Sequence, residues 1–263
     1  MKNVIYRNCV LLLAAVSLVN GAAYYTFEEG SDGNGAIGSA PTTSGWVTDS
    51  YGSSNGTVTS VNGYPRYGDS VSPLASGNLA LEFGQKQNSV DFGNDADFQW
   101  SENASKTVEF FVRRDGNGPD GSTTEFIMSK GYTSSGGWQM TFNRSAGSIR
   151  FQIQGETIES SSVFTDSLWH HVAVTHAADS AHYDLYVDYE LAGSLDGFGS
   201  GSVTSAAFSV GKGYGWQDQR VFSGAIDEFR ITDSVLSTNE FIPEPATIAL
   251  FGLGGILIRR RKK

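Results

Sequence analysis

The residues able to do chemistry in this chain are few, and they are poorly arranged for catalysis. A retaining hydrolase needs two carboxyls about 5–5.5 Å apart. Asp227 and Glu228 are adjacent in "GAIDEFRITD", and neighbours on a regular strand point to opposite faces. Glu109 stands alone in "TVEFFV". The four histidines are His170, His171, His176 and His182. His170 and His176 share strand parity but lie six residues apart, and His170 and His171 face opposite ways. That is no metal-ligand spacing, so ordinary strand histidines are expected. The single cysteine, Cys9, lies in an N-terminal segment ahead of an apolar run. If that segment is removed, the mature chain has no thiolate nucleophile, disulfide framework or Cys-based zinc site. No catalytic residue is predicted.

Binding is the better-supported chemistry. By strict alternation Asp227 shares a face with Ala225, Phe229 and Ile231, while Arg230 points the other way. An acid on an apolar face needs a base, a hydrogen bond or a cation. Trp138 and Trp169 sit in strand patterns and are expected in the core. Trp46, Tyr214 and Trp216 lie in the Gly-rich stretches "TSGWVTD" and "GKGYGWQDQR". Loop aromatics beside Gln, Asp and Arg can stack on sugar faces and hydrogen-bond hydroxyls. The competing reading has them plug the end of a sandwich.

The elements that position these residues read as strands. Trp138, Met140 and Phe142 alternate with polar residues, and so do Ile149, Phe151 and Ile153 after a polar connection, which makes a hairpin. Val108, Phe110 and Val112 share a face, as do Leu79, Leu81 and Phe83. No long 3.6-period segment occurs outside the chain ends. Residues 30–76 are rich in Gly, Ser, Thr and Asn and read as a loosely patterned excursion. Many short strands spaced by turns predict an all-β antiparallel sandwich or jelly roll.

Composition narrows the partners. Of 263 residues, 39% are hydrophobic, enough for one sizeable core. Setting aside Lys2, Arg7 and the five bases of 259–263 leaves 11 bases against 28 acids. A body so acidic lacks the basic footprint of a nucleic-acid binder and suits no anionic membrane surface.

Both ends read as export signals. Residues 1–23 carry two bases, an apolar run over 9–19, and small residues Gly21, Ala22 and Ala23. This is the grammar of a secretory signal peptide, with cleavage expected around Ala22 or Ala23. At the other end, the 13 uncharged residues of 246–258 precede five bases. As a helix they span roughly 20 Å, short of a hydrocarbon core of about 30 Å. A weak stop-transfer segment suits a temporary anchor, with its bases inside. A permanent single-span anchor is the alternative.

Two resemblances sharpen this. "IPEPATIALFGLGGILIRRRKK" closely resembles the PEP-CTERM sorting signal of Gram-negative and related bacteria. It has Pro243, Glu244 and Pro245 first, then Ala-Thr, an apolar helix and a basic cluster. The resemblance implies an exosortase and export machinery as partners, processing near Pro243, Glu244 and Pro245, and transient membrane insertion by the tail. The body is similar to laminin-G-like, concanavalin A-like jelly rolls. "LWHHVAVTH", "YDLYVDYELAGS" and "FSGAIDEFRITDSVLSTNEF" carry that resemblance, in order. It implies a fold that also hosts glycoside hydrolases, but the Glu-x-Asp-x-x-Glu pattern of its glucanases is absent here. It further implies a structural calcium near the first and last strands, for which Glu28 and Asp227 are the acids best placed. The family usually has Asp-Gly after the Tyr-Val strand, whereas here Asp188 precedes Tyr189. Tyr disfavours the positive φ of a tight primed turn, so a longer or different turn is expected.

The resulting expectation is a signal helix over 1–23, a jelly roll over 24–240 and a sorting signal with a short apolar helix over 241–263. The protein reads as a non-enzymatic surface or matrix component of a Gram-negative-type bacterium that binds polysaccharide. A structural or protein-binding module without a glycan ligand is the alternative, and a glycoside hydrolase the second alternative.

Overall fold

The structure is a computed structural model that describes residues 21–28, 46–59, 65–69, 79–84, 88–100, 103–118, 120–178, 180, 182–196, 204–215 and 220–242. The expected signal helix up to residue 20, Trp216, and the tail from Pro243 onward, with Glu244, Pro245 and the expected apolar helix, lie outside the described residues.

In chain order the strands are β1 (Gly21–Tyr25), β2 (Trp46–Val47), β3 (Gly56–Thr59), β4 (Arg66–Asp69), β5 (Leu79–Phe83) and β6 (Ser89–Gly93). Then come β7 (Lys106–Arg114), β8 (Thr124–Lys130), β9 (Trp138–Asn143), β10 (Ile149–Ile153) and β11 (Glu156–Glu159). The last are β12 (Trp169–His176), β13 (Tyr183–Val187), β14 (Glu190–Leu195), β15 (Phe208–Val210) and β16 (Gly224–Thr232). They form two antiparallel sheets. The first runs β14-β13-β12-β7-β16-β5-β4, with β1 also on β16. The second runs β11-β10-β9-β8-β15-β6-β3-β2. The excursion over 30–76 thus carries β2, β3 and β4.

The alternation read from sequence is the core. Val108, Phe110 and Val112 of β7 and Leu81 of β5 face Trp138, Met140, Phe142 and Phe151 from the other sheet, and all are buried in one cluster. Each such side chain contributes about 1.5–3 kcal/mol on burial. Trp138 donates its indole N–H to the Phe98 carbonyl at 2.9 Å, so its polar atom is satisfied inside.

Three expectations fail, each for a local reason. β16 pairs Asp227 with Phe111 and next pairs Arg230 with Glu109, so Glu228 and Phe229 together oppose Phe110. Glu228 adopts a left-handed φ of 51° at this bulge. The extra residue reverses parity. Ile226, Phe229 and Ile231 face the core, whereas Asp227 and Arg230 both face outward. Asp227 therefore does not share the Phe229 face. Trp169 pairs with Arg113 on the outer side of the first sheet, is only half-buried, and lies 5.2 Å beneath the Arg113 guanidinium. It is not a core residue. Finally, Val187 pairs directly with Glu190, so Asp188 and Tyr189 form a two-residue turn at φ 49° and 67°. The tight turn exists despite Tyr189, which is compensated by contacts described below.

Candidate functional site

The outer face of the second sheet carries a cross-strand row of small and polar residues. The register runs from Thr57 through Asp91, Ser209, Ser129 and Gln139 to Gln152. Inward positions on these strands are apolar, so alternation leaves the outward ones to polar side chains. Trp46 pairs with Thr57 in the backbone register of β2 and β3, and its side chain lies outside what the structure describes.

A glycine-rich loop after β15 is pinned onto this row. The Ser129 hydroxyl donates to the Lys212 carbonyl at 3.1 Å and accepts from the Tyr214 N–H at 2.9 Å. Lys212 reaches Asp91 at 3.5 Å. Gly213 rests on the Phe126 ring, where a Cβ would come within 2.7 Å. Gly215, at φ 76°, passes so close to Tyr132 that a Cβ would overlap its hydroxyl. The loop thereby sets Tyr214 edge-on to Tyr132, with ring centroids 5.0 Å apart and planes at 89°. Both rings remain exposed, Tyr132 at 42% and Tyr214 at 38%. Two exposed aromatics beside the partly exposed Lys212 and Asp91 provide stacking surface together with a donor and an acceptor, while Gln139 is buried with its amide donating to the Gly131 carbonyl at 3.2 Å.

Of the sequence-predicted ligand residues, Tyr214 is thus on an exposed functional-looking surface, and Tyr132 is the partner that sequence reading missed. Its pattern gave little signal, because the pair forms between loops some 80 residues apart. Trp216 lies outside the described residues. Ala23 is buried in β1 opposite Ile231.

The predicted calcium acids are engaged by the protein. Glu28 accepts the Leu79 N–H at 2.8 Å, and Asp227 accepts the Glu228 N–H at 2.8 Å. Glu28 lies near Glu228, whose carboxyl is pushed up by burial first and then by this neighbour. Among the described residues no three His, Cys, Asp or Glu side chains are grouped to hold a metal. Backbone carbonyls would have to complete any set built on these two acids.

The first sheet hides a different constellation on its outer face. Glu109 is fully buried and binds the His171 Nε2 at 2.9 Å, the Arg230 Nε at 2.7 Å and the Arg230 Nη2. It also accepts the Ile242 N–H at 2.9 Å. Arg230 donates onward to the Glu240 carbonyl at 2.8 Å, and the Tyr189 hydroxyl donates to the Ile242 carbonyl at 2.5 Å. Leu236 and Phe241 pack with Ala173 in a small second core beside Tyr186 and Tyr189. Residues 236–242 are therefore a strap across the sheet. Every polar atom of Glu109 is used in holding it, which makes the cluster structural.

At the start of β12, His170 lies between Asp188 at 2.7 Å and Asp166 at 3.1 Å. Its hydrogen bond to Asp188 first, and that to Asp166, raise its pKa to about 9 against the cost of burial.

Comparison with known proteins agrees with this fold. Residues 83–241 match the family described as the Concanavalin A-like lectin/glucanases superfamily, in its laminin-G form. Residues 241–263 match the PEP-CTERM protein-sorting motif, which indicates exosortase-dependent export to the cell envelope or surface. No curated protein matches the sequence. Among solved structures, domain 4 of the GH43 extracellular arabinanase AbnA from Geobacillus stearothermophilus, in complex with arabinotriose, is 17% identical with a TM-score of 0.57. The match covers 84% of this chain and 96% of that one. The botulinum neurotoxin serotype G binding domain gives 14% identity and a TM-score of 0.54, over 84% of this chain and 49% of that one. Trypanosoma rangeli sialidase in complex with the inhibitor DANA gives 14% and 0.53, over 83% of this chain and 31% of that one. With a family match that spans most of the jelly roll and a sorting motif directly after it, this chain belongs to the concanavalin A-like lectin/glucanase superfamily and carries a PEP-CTERM sorting signal.

Proposed function

We propose that the protein is a non-enzymatic component of the bacterial surface or extracellular matrix whose jelly roll binds polysaccharide on the outer face of the second sheet. The observation that carries the reading is the exposed Tyr132–Tyr214 pair, held by Ser129 over a row of polar side chains. Aromatic faces contribute stacking to sugars, and the flanking Lys212 ammonium and Asp91 carboxylate give directional contacts. The arabinotriose complex of a similarly folded domain supports this use of the architecture. Exosortase processing and transient membrane insertion of the tail belong to the same proposal. So does a structural calcium at Glu28 and Asp227.

The test is binding of the exported protein to a polysaccharide panel, with calcium and again with chelator. Saturable binding that falls at least tenfold in Tyr214→Ala and Tyr132→Ala supports the site. Loss with chelator supports the calcium. Binding that both substitutions leave unchanged places the ligand elsewhere, and no binding across the panel favours a structural or protein-binding role. Release of reducing sugar would reveal a hydrolase.

A further inference from the structure

The first strand, from Gly21, overlaps the end of the expected leader. Gly21, Ala22 and Ala23 supply the small-residue stretch that a leader peptidase accepts. The ladder between β1 and β16 is irregular here: Gly21 pairs with Thr232 and Ala23 with Ile231, and Ala22 is skipped. Tyr24 is held by several contacts of its own. The Tyr24 N–H donates to Asp49 Oδ1 at 3.0 Å, and its carbonyl accepts from Ser50 at 2.8 Å. Its ring lies 5.1 Å from Tyr51, and its hydroxyl donates to Glu228. Ala23, just before it, is buried in the core opposite Ile231, so a cut at Tyr24 gives up that contact while these four remain.

Asp49 is the unusual partner. It is 5% exposed and accepts three backbone N–H groups, from Tyr24, Tyr51 and Ser54. Among the described residues no lysine, arginine or histidine pairs with it. A buried carboxylate held only by amides lacks the cation that would balance its charge. Cleavage before Tyr24 creates one at the position the Tyr24 amide already occupies.

We propose that leader removal cuts between Ala23 and Tyr24, and that the new Tyr24 α-ammonium pairs with Asp49 and locks the turn over 49–55. The inference rests on the export reading and is independent of the polysaccharide site. A leader peptidase adds water across the Ala23–Tyr24 peptide bond. The carbonyl carbon gains the oxygen and leaves as the Ala23 carboxylate, and the freed Tyr24 amine takes up a proton. The hydrogen bond from a neutral amide to the Asp49 carboxylate becomes an ion pair, which offsets the loss of Ala23 at the edge of the sandwich. Asp49, from the β2–β3 connection, faces the new ammonium, while Tyr51 from the same connection and Glu228 and Arg230 from β16 surround the Tyr24 phenol at the other end of the side chain. Glu28 lies beyond Glu228, and Asp95 and Asp97 lie beyond Tyr25.

The experiment expresses the full chain in a Gram-negative host and identifies the N-terminus of the exported product by mass spectrometry. Tyr24 is the expected first residue. Its α-amino pKa, read from the pH dependence of N-terminal acylation, is expected at about 9 or above instead of the ordinary value near 8, because an opposite charge favours the ammonium. Asp49→Asn is expected to return it to the ordinary value. Should that variant fail to fold, selective acetylation of the wild-type α-amine keeps the test open and is expected to lower the melting temperature. A product that starts at Gly21, Ala22 or Ala23 overturns the proposal. So does a Tyr24 amine of ordinary pKa, or an acetylated product of unchanged melting temperature. A protein that retains Met1 overturns the export reading as well.

Discussion

Tyr189 lies flat on His171, with ring centroids 4.5 Å apart and planes 6° from parallel, although its backbone sits at φ 67°. A non-glycine residue in that region costs roughly 1–2 kcal/mol. The stack returns about 0.5–1.5 kcal/mol, the hydroxyl bond to the Ile242 carbonyl adds about 1, and partial burial of the ring against Phe241 adds more. The contacts win. Tyr189→Gly relieves the backbone yet is expected to lower stability by about 1 kcal/mol in urea unfolding, on the same scale. A stabilised variant would show that the turn, and not the stack, dominates.

Glu109 is the larger liability. Glu109→Ala leaves the Arg230 guanidinium without its buried counter-charge and strips an acceptor from Ile242. Removal of one partner from a buried pair costs about 3–5 kcal/mol. Glu109→Gln keeps the shape and some of the hydrogen bonds, so it is expected to cost less. Limited proteolysis is the second readout: in both variants cleavage within 236–242 should precede cleavage of the sheets.

His170 links stability to pH. Its pKa is raised to about 9 in the fold by Asp188 and Asp166, above the ordinary value near 6.5. The unfolded chain therefore releases this proton first as pH rises. The stabilisation is complete below about pH 6.5 and disappears as pH rises through about 9. Melting temperature is expected to fall over that window in the wild type and to fall less in His170→Gln. Equal slopes in the two proteins would remove His170 as the cause.

Gly215→Ala isolates the surface pair. A Cβ at that position overlaps the Tyr132 hydroxyl, and the left-handed φ adds strain. The loop lies outside the sheets, so the fold should persist while Tyr132 and Tyr214 lose their edge-on geometry. Polysaccharide binding is expected to drop roughly tenfold with little change in melting temperature, since one such aromatic contact is worth about 0.5–1.5 kcal/mol. Binding equal to the wild type would mean that the pair is not the contact surface.

Where one rule governed, sequence reading succeeded. Period-two alternation placed Phe110, Leu81, Phe142 and Phe151 in the core because their own strands carry no extra residue, the bulges lying on the partners β16 and β8. It failed at Asp227 because one glutamate in a left-handed conformation reverses parity for all that follows, and Glu228 carries no sign of that in its type. It misplaced Trp169 because an aromatic in a strand pattern fits either face, and only the pairing with Arg113 decides. The turn at Tyr189 and the strap escaped for a related reason. Their energy comes from Glu109, His171 and Phe241, which meet only after folding. At the surface, Tyr214 was visible as a loop aromatic between glycines, while Tyr132 acquires meaning only from Gly215 passing against it.

The strap also decides how the molecule bears load. The sorting segment joins the body at Ile242, whose N–H and carbonyl are both tied to the first sheet. Tension on the tail, whether from a membrane anchor or from a matrix attached after processing, first meets these bonds and the Arg230–Glu240 contact behind them. The pull must peel 236–242 away before it reaches β16, a strand braced by β7, β5 and β1 at once. A break-away segment in series with an interlocked strand makes the junction at Ile242 a shock absorber, in which a small local rupture protects the sandwich from being drawn apart.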